Sequence, residues 1–242
     1  MQTIGSSVFN GKNALVIGAS GGIGRAVAIE LASRGAHVVG VGRSEEKLAS
    51  LAAVSGATVK RIDLREAGAA ARCFAGDGHF DALMVCYGPF LQKPLHETTE
   101  GDWYGLAAAN LALAGSLVSL ALPGMVERGW GRILLFGGTR TDSIRGFKTN
   151  AAYAACKTGL ASLARSVALE YSRRGVACVV ACPGFVRTEY VDDGFAARML
   201  RLDPPGGLQA PDEIARAALD PLDSERPLAN GIALGLDAGL GP

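Results

Sequence analysis

Short apolar or β-branched runs alternate along this chain with longer Ala-rich stretches in which apolar residues recur at helical spacing, and nothing repeats at a fixed interval. The short runs predict strands at 14–17, 37–41, 58–62, 82–85, 132–136, 177–181 and 232–236. Between them the pattern predicts helices over 23–33, 45–53, 65–74, 102–128, 151–173 and 212–219. Capping residues agree: Ser44 precedes Glu45 and Glu46, Thr99-Glu100-Gly101-Asp102 reads as a capping box, and Pro211 suits a first helical turn. Apolar strands joined by helices imply a parallel sheet covered on both faces, with right-handed crossovers. The expected fold is α/β, a doubly wound parallel sheet (Rossmann fold) in a single domain, with ligands beyond the carboxyl ends of the strands.

Composition narrows the classes. At 242 residues, 49% hydrophobic and 19% charged, the chain can bury a full core, which excludes a disordered or collagen-like protein. A net charge of +1 leaves no basic footprint for nucleic acid. Five cysteines, Cys73, Cys86, Cys156, Cys178 and Cys182, show no CxxC spacing and lie mostly in apolar runs, so neither a disulfide scaffold nor a metal site is expected. Residues 1–10 lack a basic segment followed by an apolar one, and a cytoplasmic location is expected. The uncharged stretch 103–126 is long enough to cross a bilayer. Gly105, Asn110, Gly115 and Pro123-Gly124 interrupt it, and it reads instead as a central or subunit-contact helix.

Two motifs carry chemistry. After the first strand stands Gly18-Ala19-Ser20-Gly21-Gly22-Ile23-Gly24, opening a helix. Glycines there permit a tight turn and let backbone N–H groups and the helix dipole face a pyrophosphate. Tyr153-Ala154-Ala155-Cys156-Lys157 places a phenol and an ammonium one turn apart on one helix face. A nearby cation favours phenolate, and a phenol so placed can exchange a proton with a substrate oxygen while hydride moves to or from a cofactor.

The spacing of Gly18, Gly22 and Gly24 together with Tyr153 and Lys157 resembles the short-chain dehydrogenase/reductase family, most nearly its 3-oxoacyl-carrier reductases, over roughly residues 11–239. The resemblance implies that Tyr153 is the acid/base and that Lys157 lowers its pKa and holds the nicotinamide ribose. It makes Asn110 the support of a relay water. It also implies cofactor contacts from Ile23, from Asp63-Leu64 against adenine, from Cys86 and Gly88 after the fourth strand, and from Pro183, Gly184, Val186 and Thr188 around the nicotinamide. Where an acidic residue would accept the ribose 2′-hydroxyl, the second strand ends in Gly42-Arg43. Arg43, with Ser20 as an extra donor, suits a 2′-phosphate, so NADP(H) is expected over NAD(H).

Two departures stand out. The family's serine after the fifth strand falls on Gly137-Gly138; Thr139 is the nearest hydroxyl and Ser143 a more distant one. The family's Asn-Asn-Ala-Gly after the fourth strand is replaced by Val85-Cys86-Tyr87-Gly88, and Tyr87 either lines the site or packs. Phe90, Leu91, Leu95, Ile144, Phe147, Phe185, Tyr190 and Met199 offer an apolar substrate wall, Arg140, Arg145 and Lys148 possible anion contacts, and residues 189–208 a short lid. The expected activity is NADPH-dependent reduction of a carbonyl, or the reverse oxidation of a secondary alcohol, on a medium-sized, partly apolar molecule. The alternatives are a non-redox nucleotide-binding regulator and a relative catalysing dehydration or another atypical reaction. The partners expected are the small-molecule substrate and further copies of the chain, as a homotetramer or homodimer, with no nucleic acid and no membrane.

Overall fold

In the computed structural model, which describes residues 7–202, 204 and 206–240, seven strands form one parallel sheet. They are β1 (Asn13–Ile17), β2 (His37–Gly42), β3 (Thr58–Arg61), β4 (Ala82–Val85), β5 (Gly131–Phe136), β6 (Val176–Pro183) and β7 (Ile232–Leu236), ordered β3-β2-β1-β4-β5-β6-β7. The helices are α1 (Gly22–Ser33), α2 (Glu45–Ser55), α3 (Ala69–Phe74), α4 (Glu100–Ala107), α5 (Leu113–Arg128), α6 (Ala151–Tyr171), α7 (Asp193–Leu200) and α8 (Pro211–Leu219). Alternate strand residues serve opposite faces, as the two-residue period of a strand requires. Ala14, Val16, Met84, Leu134 and Val179 join the core under α1 and α8. Leu15, Ile17, Leu83, Ile133 and Val180 join the core under α3, α5 and α6. All five cysteines are free thiols.

Several boundaries differ from the sequence reading for identifiable reasons. The helix expected from residue 65 begins at Ala69, because Gly68 adopts a left-handed conformation at its N-cap. The stretch expected as one helix from 102 starts at Glu100, behind the Thr99–Asp102 capping box, and a π-helical turn at Ala108–Ala112 separates α4 from α5. Helix α7 was not expected; its cap, Asp192 accepting from Phe195 N at 2.7 Å, stood in the sequence unread. Within the expected lid, Asp203 and Pro205 lie outside the described residues, as do residues 1–6 of the amino terminus.

The helix Glu100–Arg128 is long and apolar enough to cross a membrane. Here one stripe, Ala114, Leu117, Val118, Ala121 and Met125, packs on the sheet, while Trp103, Tyr104 and Leu120 remain exposed.

Strand order reverses direction between β1 and β4, so the crevice beyond their carboxyl ends is where a ligand would dock. The opposite end of the sheet is sealed by Arg132. Its guanidinium is buried over Trp130, 4.3 Å from the ring centre, and donates to the carbonyls of Gly131, Gly175, Leu222, Ser224 and Glu225. Burial lowers its pKa to about 10, so it stays charged at neutral pH. Replacing Arg132 by Leu would leave several buried carbonyls unpaired. We expect Arg132→Leu to lose roughly 2–4 kcal/mol of stability in urea denaturation. A loss under about 1 kcal/mol, the scale of an ordinary surface change, would mean those carbonyls find other partners.

Candidate active site

At the reversal, Gly18 ends β1 with φ 85°, and a side chain there would press on the backbone of Cys86 and Tyr87 at 3.1–3.2 Å. This close approach of β1 and β4 is what the glycine permits. Gly24 packs against the Gly18 carbonyl, and Gly22, at φ 53°, presents its N–H at the start of α1. Both oxygens of Glu189 accept from that N–H, at 3.0 and 3.2 Å. The turn therefore holds an anion supplied by the chain itself.

Ser20 packs against Gly42 at the end of β2, next to exposed Arg43. Arg65 forks onto Asp63 at 3.0 and 2.6 Å. With the Arg65 backbone N–H and a weaker contribution from Arg43, it holds the Asp63 carboxyl well below the usual range. Leu64 is buried beside them.

A cavity of about 580 Å³ opens beyond β4, β5 and β6, and Ile23, Cys86, Gly88, Thr139, Tyr153, Lys157, Pro183, Gly184, Val186 and Thr188 all face it. Helix α6 carries Tyr153 and Lys157 into its floor. The buried Lys157 ammonium donates to the Phe136 carbonyl at 2.8 Å. Asn110 sits in the π turn, its amide donating to the carbonyls of Pro89 at 3.1 Å and Leu106 at 3.2 Å. Its Oδ1 is buried without a partner. A side chain on Gly88 would collide with both this oxygen and Lys157 Nζ, so glycine keeps a notch open between them.

Electrostatics differ from the sequence expectation in one respect. The Lys157 ammonium lies 5.8 Å from the Tyr153 ring centre, and burial wins over it. Burial pushes the Tyr153 phenol up and pulls Lys157 down to about 8. The phenol is thus protonated at neutral pH with the chain's own groups around it. Phe90 stands edge-on against the Tyr153 ring at 5.0 Å.

The loop after β5 accounts for the missing serine. A side chain on Gly138 would lie 2.9 Å from Tyr153 Cε1 and 3.1 Å from its Oη, so position 138 is the one aimed at the phenol. Thr139 faces the same cavity, its hydroxyl donating to the Gly184 carbonyl at 3.1 Å. Thr141, which sequence reasoning passed over, closes the turn by accepting from Gly138 N at 2.8 Å. Arg140 and Thr149 take left-handed φ of 61° and 58°, rare for residues other than glycine.

The predicted substrate wall is partly corrected. Phe90, Phe185, Tyr190, Met199 and Lys148 line the cavity; Leu91, Leu95, Ile144, Phe147, Arg140 and Arg145 do not. Ile144 is 95% exposed, because the loop projects it into solvent. Tyr87 lies along the outer groove with α3 and α5. Phe195, supplied by the unexpected α7, and Gln92, Thr149 and Asn150, from loops without periodicity, were missed. The described residues contain no cluster of metal-ligating side chains.

Residues 12–198 match the family model for short chain dehydrogenases. The chain is 32% identical over 241 residues to the 3-oxoacyl-[acyl-carrier-protein] reductase FabG of Escherichia coli K12, covering 96% of this chain and 98% of that one. Among solved structures it is similar to a Brucella melitensis protein described as ribose-5-phosphate isomerase, with TM-score 0.86, 29% identity and coverage of 98% and 95%. It is also similar to a Beutenbergia cavernae protein described as an NAD(P)-dependent gluconate 5-dehydrogenase, solved with NADP at low occupancy, with TM-score 0.83, 30% identity and coverage of 98% and 99%. With the glycine turn, Tyr153, Lys157 and Asn110 gathered on one parallel sheet, the chain belongs to the short-chain dehydrogenase family.

Proposed function

We propose that this protein is an NADP(H)-dependent oxidoreductase that interconverts a carbonyl and a secondary alcohol on a medium-sized, partly apolar molecule, with Tyr153 moving the proton. The observation that carries the reading is the convergence of the Tyr153 phenol and the Lys157 ammonium on one cavity that Ile23 of the glycine turn also lines, with the orphaned Asn110 Oδ1 and Lys157 Nζ both against the notch at Gly88. An N–H at Gly22 able to take an anion, and the notch at Gly88, are what a dinucleotide would require.

When bound, NADP(H) supplies or receives the hydride. Gly18, Gly22, Ile23 and Gly24 would hold its pyrophosphate, and Ser20, Arg43, Asp63 and Leu64 its adenosine end. Cys86, Gly88, Pro183, Gly184, Val186 and Thr188 would enclose its nicotinamide end. Lys157 keeps donors beyond the one given to Phe136 and would bind a ribose hydroxyl. Asn110 Oδ1 would accept from a water that refills the phenol with a proton. Because burial keeps Tyr153 protonated, its Oη can give a proton to a carbonyl oxygen in the reductive direction and take it back in the reverse one. Thr139 is the hydroxyl available to polarise that carbonyl, after turning from Gly184.

The missing hydroxyl at Gly138 favours one second reading, a dinucleotide-binding regulator without turnover. The exposed apolar face of the helix Glu100–Arg128 supports pairing with another copy, as a homodimer or homotetramer.

Oxidation of NADPH followed at 340 nm over a panel of ketones, quinones and acyl thioesters tests the assignment. Tyr153→Phe should lower kcat/KM by about 10³-fold and Thr139→Ala by about 10²-fold, as for lost proton transfer and a lost oxyanion donor. NADPH binding with no turnover on any of these substrates would leave the regulator reading in possession. Calorimetry tests the cofactor: wild type should prefer NADPH to NADH, and Arg43→Ala should weaken NADPH at least about tenfold while leaving NADH unchanged. Equal loss for both would remove Arg43 from the 2′-phosphate.

A further inference from the structure

The backbone after β6 crosses the glycine turn, and Glu189 is the residue that touches it. Its two oxygens share the Gly22 N–H, and Lys47, from the first turn of α2, reaches its Oε1 at 3.2 Å. Lys47 Nζ also stands 4.6 Å over the ring of Tyr190. A side chain on Gly21 would collide with Glu189 Oε1 and Tyr190 Oη, so the crossing is close. The Thr188 methyl sits against Gly22, and Val191, Asp192, Phe195 and Met199 continue the same segment along the cavity wall. Partial burial opposes ionisation of Glu189, but the backbone N–H groups and Lys47 hold its carboxyl below the ordinary range. It is therefore a full anion at neutral pH.

We propose that Glu189 is an internal competitor for the dinucleotide's diphosphate, and that residues 188–190 form a strap which the cofactor must lift from the N-terminus of α1. The proposal rests on the reading that a dinucleotide docks on the glycine turn. A single N–H at a helix start cannot serve two anions, and a carboxylate left beside a diphosphate would repel it. The strap is held by contacts with solvent access, Lys47 and Glu189 both being about 40% exposed on their side chains, so it is displaceable. Lifting it also shifts α7, which carries Phe195 and Met199 of the substrate wall. Occupation of the cofactor end is thereby communicated to the substrate end through one short segment.

The test is calorimetric titration of NADPH into wild type, Glu189→Gln and Glu46→Gln. Glu46 lines the groove between α1 and α2 together with Glu189 and Lys47, so its variant removes a neighbouring charge without releasing the strap. If the strap is closed in about nine molecules of ten, freeing it tightens NADPH about tenfold. The expected result is that tightening for Glu189→Gln, with Glu46→Gln within about twofold of wild type. Wild type binding NADPH as tightly as Glu189→Gln, or Glu46→Gln gaining as much, overturns the strap and leaves the oxidoreductase reading standing. If none of the three proteins binds NADPH, the dinucleotide reading itself falls and the strap with it. Circular dichroism of each variant establishes that it is folded as the wild type is.

Discussion

The site is organised by a buried ammonium that no carboxylate among the described residues balances. Lys157 donates to the Phe136 carbonyl at the end of β5, and burial drags its pKa to about 8. An isolated charge in such a place is expensive for the fold, and aliphatic residues of similar length would pack there more cheaply. Its neighbours make sense around that cost. Gly88 leaves room for Nζ, the π turn rotates Asn110 to put an unpartnered oxygen across the same notch, and Tyr153 shares the helix one turn earlier. Unsatisfied groups of both signs facing one gap form a polar site waiting for hydroxyls and water.

The two ends of the sheet divide the work. At the amino ends of the strands, Arg132 ties β5 to the segment after α8, and Arg128 pairs with buried Asp81 at 3.0 Å. The buried side chains of Arg132 and Asp81 thus find their partners within the chain. At the carboxyl ends the glycine turn, the loop after β5 and the segment after β6 leave groups open or borrow partners across loops. The Glu189 contact belongs to this second kind. So does Thr139, whose hydroxyl is engaged with Gly184 rather than aimed at the phenol.

What the sequence made legible follows from period and spacing. Strand and helix order, the glycine turn and the pair at 153 and 157 are local patterns, and each appears where expected within a few residues. Asn110 was named from the family resemblance, and the π turn that orients it leaves no mark in an apolar pattern. The loop between β5 and α6 was least legible, since its course is set by left-handed Arg140 and Thr149 and by Thr141 closing a turn on Gly138. No periodicity reports such geometry, so Ile144 and Phe147 were misplaced on the wall and Asn150 was missed. The sign of the Tyr153 shift also escaped, because a neighbouring charge can be read from spacing whereas depth of burial cannot.

The most direct test of this account is the titration of Tyr153 itself, followed by NMR of tyrosine labelled at Cζ, with the Tyr153→Phe spectrum giving the assignment. The account predicts that the phenol of the protein alone titrates above the ordinary value of 10.0, and that saturating NADP⁺ brings it down as the pyridinium adds its charge to that of Lys157. A titration that starts at or below the ordinary value, or one that NADP⁺ leaves unmoved, would contradict it.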